Sequence, residues 1–283
     1  MKKLLSYTAL IAAGMMVFAS CEKQADRIAE YSTVEDKAFI RVIHASPSFR
    51  QVFNAPDSIN LYVNNAKVNG PLITYGGLFP AAATTGFGYF AVPAGLQTLK
   101  VTVAGRVTPD SIQLALFTNL ALKGQRYSII LTDDVRSPRD SSKMILPDNI
   151  TQPTTGNYRL RFVNAIAADT AGTTVSIFSA RRNANIFNSI APGQVVDFQT
   201  LPFNSQLSDT LYVRRPGSTF NLAVLNGASF GNQRSYTMVY RGYGATVTTG
   251  TKGCTLVTYL DERSFGKYYF KKHLIKMRFF FER

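Results

Sequence analysis

Few residues in this chain could carry acid–base, nucleophilic or metal chemistry. It holds two His, His44 and His273, and two Cys, Cys21 and Cys254. One His in the body and one in the C-terminal stretch cannot build a His-rich metal site, and two Cys exclude a multi-thiolate zinc site. His44 ends an apolar run in Arg41-Val42-Ile43-His44-Ala45-Ser46-Pro47. It could act as a general base or ligand contact, but Asn164 holds the matching place in a second copy of the pattern. Asn can make the same hydrogen bonds and cannot do a base's work, so a structural role just past a strand is expected, with the imidazole bonding a loop carbonyl. Cys254, within Gly253-Cys254-Thr255-Leu256-Val257, reads as a small packing residue rather than a reactive thiol. Asp133 and Asp134, with Asp140 and Asp148 beyond, supply oxygens of the kind calcium takes, yet lack EF-hand spacing, and a solvated turn is expected. No G-x-S-x-G elbow, H-E-x-x-H, Walker loop or post-strand G-x-G-x-x-G is present. The expectation is a chain with no catalytic residue, cofactor or metal.

The N-terminus says where the chain goes. Met1-Lys2-Lys3 supplies positive charge, and Leu4 to Phe18 carries no charged side chain. This is a signal-peptide core, too short for a comfortable membrane span. It ends in Phe18-Ala19-Ser20-Cys21, which resembles the lipobox of bacterial lipoproteins, with small residues before a Cys that becomes lipid-modified; Phe18 departs from the usual Leu. Cys21 is therefore the expected lipidation site, tethering the protein to a membrane through acyl chains. With Cys21 acylated, Cys254 has no disulfide partner.

Charge argues against nucleic acid. The formal net charge is +14, but Lys2 and Lys3 leave with the signal, and residues 263–283 hold seven Lys or Arg against Glu282. What remains across residues 22–262 is +6, too modest for a nucleic-acid footprint on an exported protein. Absence of Trp, with 20 Phe and 14 Tyr among many Thr, Val, Asn and Gly, favours strands and turns.

The elements that position these residues are short strands. Phe39–Ile43, Ser58–Val63, Gly88–Val92, Thr98–Val103 and Arg126–Leu131 alternate apolar and polar residues between turn signals, one face in and one face out. A second copy follows the loop-forming stretch Pro147 to Gly156. Leu160-Arg161-Phe162-Val163-Asn164-Ala165 repeats Ile40-Arg41-Val42-Ile43-His44-Ala45, and Asn232-Gln233-Arg234-Ser235-Tyr236 echoes Gly124-Gln125-Arg126-Tyr127. Steps of 120 and 108 residues are far longer than solenoid periods. The expected architecture is all-β: two tandem immunoglobulin-like β-sandwich domains after a lipoprotein signal peptide. Its parts are the signal (1–20), a polar tether (21–37), domain 1 (38–147), a linker (148–157), a diverged domain 2 (158–262) and a basic aromatic tail (263–283), for which an ill-ordered extension is expected.

Arg41-Val42-Ile43-His44-Ala45-Ser46-Pro47, then Ile59-Asn60-Leu61-Tyr62-Val63-Asn64, Val92-Pro93-Ala94-Gly95 and Gly124-Gln125-Arg126-Tyr127 resemble the bacterial family called domain of unknown function 4397, over about residues 38–135. The resemblance implies a β-sandwich module on exported proteins, often lipoproteins of Bacteroidetes-type bacteria, and brings no catalytic residues.

Asp57-Ser58-Ile59, Asp110-Ser111-Ile112, Asp169-Thr170-Ala171 and Asp209-Thr210-Leu211 resemble the acceptor of the Bacteroidetes protein O-glycosylation system. They mark Ser58, Ser111, Thr170 and Thr210 as candidate modification sites; the bland alternative is that Asp-Ser and Asp-Thr begin strands after turns. The functional expectation is a membrane-anchored cell-envelope lipoprotein of the outer membrane. It would be a non-catalytic binding or structural module for a glycan, a protein or another envelope partner, with Tyr62, Tyr75 or Tyr89 available for sugar stacking if exposed. The alternative is a hydrolase of envelope or extracellular polysaccharide, built on two convergent carboxylates that leave no sequence signature.

Overall fold

The computed structural model describes residues 37–47, 58–81, 88–103, 113–117, 125–132, 143–166, 173–204, 208–244 and 253–262. Among them there are strands and no helix. The strands are β1 (Lys37–His44), β2 (Ser58–Val63), β3 (Ala66–Lys67), β4 (Ile73–Thr74), β5 (Leu78–Phe79), β6 (Phe90–Pro93), β7 (Leu99–Val103), β8 (Gln113–Phe117), β9 (Arg126–Leu131) and β10 (Lys143–Pro147). After them come β11 (Asn157–Ile166), β12 (Val175–Ser179), β13 (Ala184–Ile190), β14 (Val195–Pro202), β15 (Asp209–Arg214), β16 (Asn221–Ala228), β17 (Ser235–Gly242) and β18 (Thr255–Glu262).

β1 to β10 form two sheets. One has the order β10-β9-β1-β5, with β6 sharing the β1 edge with β5; the other runs β3-β2-β7-β8, with β4 also on β2. β11 to β18 repeat the plan as β18-β17-β11-β14 and β13-β12-β15-β16. The all-β sandwich architecture is as expected, and its strand order is more specific than the immunoglobulin-like expectation: β2 hydrogen-bonds β3 and β4 within one sheet, where immunoglobulin domains send the third strand to the opposite sheet. In both halves the first strand lies parallel to the penultimate one, with Arg41 opposite Ser128 and Arg161 opposite Thr237. These registers correct the second repeat step. Phe39 N–H donates to the Gln125 carbonyl and Arg159 N–H to the Arg234 carbonyl, so Arg234 matches Gln125 rather than Arg126. A one-residue slip matters in a strand because it turns every side chain to the other face, and only the observed register points Ser128 and Thr237 the same way.

Each sandwich has its own apolar core. Ile40, Val42, Ile59, Leu61, Leu99, Val101 and Ile129 fill the first. Leu160, Phe162, Ile177, Phe187, Leu211, Val213 and Met238 fill the second, where Phe162 stacks on Phe187 with ring centroids 5.7 Å apart. A third cluster joins Ile43, Ala45, Ile130 and Met144 of the first sandwich to Val163, Ala165 and Val239 of the second. The two sheets containing β1 and β11 therefore pack against each other, and the expected one-face-in pattern fails there. β1, β9, β11 and β17 are buried along both faces for most of their length. Near-continuous apolar runs are what a sheet covered on both sides requires. Where a sandwich faces water the alternation returns, as in β15, buried at every second residue.

Candidate functional site

Between the two sandwiches lies a closed ring of charged and hydroxyl side chains. Arg41 sits mid-way along β1, in the gap between the part of its edge paired to β6 and the part paired to β5. Arg161 sits mid-way along β11, where the pairing with β14 slips between Leu160 and Phe162. Both arginines thus lie at an interruption of the neighbouring strand, the kind of irregularity that re-aims a side chain. Both are almost wholly buried, at 0% and 2% exposure.

Each guanidinium reaches across to the other sandwich. Arg41 forms an ion pair with Asp261 and donates from Nη1 to the Leu260 carbonyl (3.4 Å). Arg161 forms an ion pair with Asp148 and donates from Nη1 to the Pro147 carbonyl (3.3 Å). Arg41 Nε donates to Ser128 Oγ at 2.6 Å, and that hydroxyl donates to Asp148 Oδ2, also at 2.6 Å. Arg161 Nε donates to Thr237 Oγ1 at 3.1 Å, and that hydroxyl donates to the Asp261 carboxylate at 2.9 Å. An aromatic ring covers each guanidinium: Tyr89 lies 5.1 Å from Arg41, and Phe198 4.7 Å from Arg161. Arg41, Ser128, Asp148 and Tyr89 thus correspond one for one to Arg161, Thr237, Asp261 and Phe198, and the two arginines exchange carboxylates across the contact. The difference at the aromatic position has a use, since Tyr89 donates its hydroxyl to Asp148 Oδ2 at 2.8 Å and Phe198 cannot.

Electrostatics follow from burial. Loss of water alone would lower the Arg41 pKa; the facing charge of Asp261, supported by Asp148, overrides this and raises it, so the guanidinium stays charged. Burial pushes the Tyr89 phenol up well beyond its ordinary range, against the opposing pull of Arg41. Burial also pushes the Asp261 carboxyl upward, with Arg41 and then Arg161 pulling it back. Asp148 and Asp261 are spent on structure: each is held by an arginine of the other sandwich and a hydroxyl of its own. Chemically the ring can fasten two sheets in one register and orientation. A carboxylate pair for glycoside hydrolysis must instead face a cleft with room for a sugar.

Asp148 corrects one expectation. It is not in a solvated turn but 6% exposed, its N–H bonded to the Arg126 carbonyl; Asp133, Asp134 and Asp140 lie outside the described residues. The signal in the sequence was an Arg inside an otherwise apolar strand in both copies, with an Asp closing the last strand of each. It went unread because a charged residue in a strand is ordinarily a solvent-facing one. No group of three or more His, Cys, Asp or Glu that could hold a metal occurs among the described residues.

His44 is fully buried and is the last residue of β1 rather than past it; its ring meets Tyr75 edge-on at 6.1 Å. Its backbone exchanges hydrogen bonds with Gly76 and Gly77, as the Asn164 backbone does with Gly193 and Gln194, so the two residues occupy one structural place. Asn164 Nδ2 donates to the Ile190 carbonyl at 3.0 Å. His44→Asn is accordingly expected to cost about 1 kcal/mol, the ordinary cost of a point substitution. Thermal unfolding checks this, and a collapse of the fold would contradict it. Cys254 is buried just before β18, its thiol donating to the Gly244 carbonyl at 2.9 Å. A Cβ on Gly242, whose φ is +148°, would stand 2.9 Å from Cys254 Cα, so the last position of β17 needs glycine.

None of the three tyrosines considered for sugar stacking is an exposed platform. Tyr62 is 5% exposed beneath Lys100, Tyr75 is half-buried between His44 and Arg241, and Tyr89 is tied into the ring. Of the candidate glycosylation sites, Ser58 opens β2 and is buried, and Thr210 is half-buried in β15 beside Asp209. The Asp209 carboxylate accepts from Ser179 Oγ and from the Arg181 N–H, binding the turn before β13. Ser111, Thr170 and Cys21 lie outside the described residues.

Residues 38–176 match the family model described as "Domain of unknown function (DUF4397)", a span that runs through the first sandwich, across β11 and into β12. No curated protein matches the chain. Among solved structures, the chain is similar to a "putative cell adhesion protein" from Bacteroides uniformis ATCC 8492, at 12% identity and a TM-score of 0.21, covering 80% of this chain and 99% of that one. A superposition that loose carries no argument.

Proposed function

We propose that the protein is a cell-envelope lipoprotein of the DUF4397 kind, anchored through acyl chains on Cys21, whose two sandwiches act as one rigid non-catalytic module that holds a glycan or envelope partner. The observation that supports this is the commitment of Asp148 and Asp261 to the buried ring, with Asp209 fixing a turn. These carboxylates build the module and are not presented to a substrate. Rigid coupling suits display: loops and outer sheet faces are then held in a fixed mutual geometry, which lowers the ordering cost of binding. Among the described residues no helix is long and apolar enough to cross a membrane, and two acyl signals on one Cys are sufficient for stable anchoring without one.

Two readouts on the full chain, expressed in a bacterium with an outer membrane, test the proposal. The wild type is expected to take up labelled palmitate and fractionate with membranes, and Cys21→Ala to lose both; full membrane retention of Cys21→Ala would overturn the anchor. Any polysaccharide that the protein retains is expected to keep its chain length and gain no reducing ends. Release of reducing ends would move the protein to the hydrolase reading.

A further inference from the structure

The outer face of the β13-β12-β15-β16 sheet carries a patch with its own chemistry. Ile177, Leu211 and Val213 point into the second core, so their alternates point outward. Phe178 lies opposite Asn185 on β13 and Tyr212 on β15, and Tyr212 lies opposite Val224 on β16. One row thus crosses all four strands. Arg214 lies over both rings, its guanidinium carbon 4.5 Å from the centroids of Phe178 and of Tyr212. Its Nε donates to Asn221 Oδ1 at 2.7 Å, which fixes the plane of the fork. No carboxylate among the described residues pairs with it. Next to Asn221, the Phe220 ring is 63% exposed, and Val224 is 41% exposed.

We propose that this patch, Arg214 with Phe178, Tyr212, Phe220, Asn221 and Val224, binds a carboxylate-bearing polysaccharide such as a polyuronate. The proposal rests on the binding-module reading above and names its surface and ligand class. Charge selects the ligand. The patch's charged side chain is Arg214, and the one acidic residue among the described residues of these four strands, Asp209, is buried and already bonded. A guanidinium held flat by two rings and an amide presents its Nη groups as a pre-organised fork, the geometry that takes a carboxylate bidentately. The exposed Phe220 ring next to Asn221, and the Val224 methyl groups further along β16, offer apolar surface for the C–H faces of pyranose rings. A sheet face is flat and repeats at strand spacing, which suits an extended polymer better than a compact ligand.

The test is retardation of the full chain in native gels containing polygalacturonate, with neutral dextran in parallel lanes and anionic phospholipid vesicles in a separate flotation assay. Retardation by polygalacturonate and not by dextran is expected, weakening as salt rises. Arg214→Lys, which keeps the charge and loses the fork, is expected to weaken binding about tenfold, the loss of roughly one charge-assisted hydrogen bond. Val224→Glu, at an exposed position where folding is not at stake, is expected to abolish retardation at unchanged melting temperature. Equal retardation by dextran, no retardation at all, full binding by both variants, or flotation with vesicles without polygalacturonate binding would each overturn this surface. The anchoring and chain-length readouts for the module itself stand apart from all four.

Discussion

Arg41→Met is expected to lower the stability of the protein by about 3–5 kcal/mol, the usual cost of removing one partner from a buried ion pair. At roughly 2–4 °C per kcal/mol for a chain of this size class, that is a fall of roughly 6–20 °C in melting temperature. The cost arises from what is left behind. Met fills much of the volume of the Arg stem, so packing is little changed, but Asp261 keeps its desolvation and loses its first counter-charge, while the Leu260 carbonyl and Ser128 each lose a donor. A second substitution separates this account from simple loss of packing. In Arg41→Met with Asp261→Leu the stranded charge is gone, and most of the stability is expected to return, because replacing both members of a buried pair by apolar groups is often neutral. The pH dependence has a definite sign. Burial already raises the Asp261 carboxyl above the unfolded carboxylate range, and without Arg41 it climbs further. A carboxyl whose folded pKa is raised binds its proton more tightly in the folded state, so its contribution is present at low pH and is lost as pH rises through the folded value. The gap between Arg41→Met and wild type is therefore expected to narrow as pH falls from neutral toward the ordinary aspartate range. Melting curves across that window check it; a gap that widened would show that Asp261 is not the group left uncompensated.

What could be read in the sequence, and what could not, divides along the face of the sheet. β2, β7 and β9 were legible almost residue for residue, because alternation and the flanking turn residues mark a strand locally. The duplication was legible as well, since Arg41 and Arg161 stand at one place in matching strings. The packing of one sandwich on the other was not. Ile43, Ile130, Val163 and Val239 look in sequence like any core residue, and only the fold shows that they face a different neighbour from Val42, Ile129, Phe162 and Met238. The ring was hidden for a related reason. Ser128 reaches Asp148 over 20 positions and Arg41 reaches Asp261 over 220, so no local pattern joins them. The outer patch has no local signature either, since Arg214 covers Phe178 and Tyr212 only as a consequence of how β12 pairs with β15.

The rigid coupling on which display depends can be broken at one residue. Val239 is fully buried in the cluster between the sandwiches, on β17 opposite Val163 and Val257. Val239→Asp places a carboxylate among Ile43, Ala45, Ile130 and Met144, none of which can offer a hydrogen bond. The penalty for an unpaired charge buried there is several kcal/mol. The chain can escape it in two ways, by protonating the new Asp or by parting the two sheets to let water in. Parting is the easier route. The intra-sandwich cores lie on the opposite faces of these sheets and keep their contacts, and the connection between the sandwiches is chain that can extend. The expected outcome is two folded sandwiches no longer held together: strand content kept, a larger hydrodynamic radius, and new protease cleavage within residues 149–156. The near end of that stretch is held in the wild type by the ion pair of Asp148 with Arg161 of the second sandwich, a tie that parting breaks. Val239→Leu, equally apolar, is expected to leave the radius and the cleavage pattern as in wild type. If Val239→Asp instead melts both sandwiches together, each depends on the other for its fold, and the ring is part of one indivisible core. Polysaccharide retardation in the parted protein then tells how the module works. The outer patch lies wholly within the second sandwich, so binding by that face alone is expected to persist, and its loss would mean that the ligand spans both sandwiches and needs the angle at which Arg41, Asp148, Arg161 and Asp261 hold them.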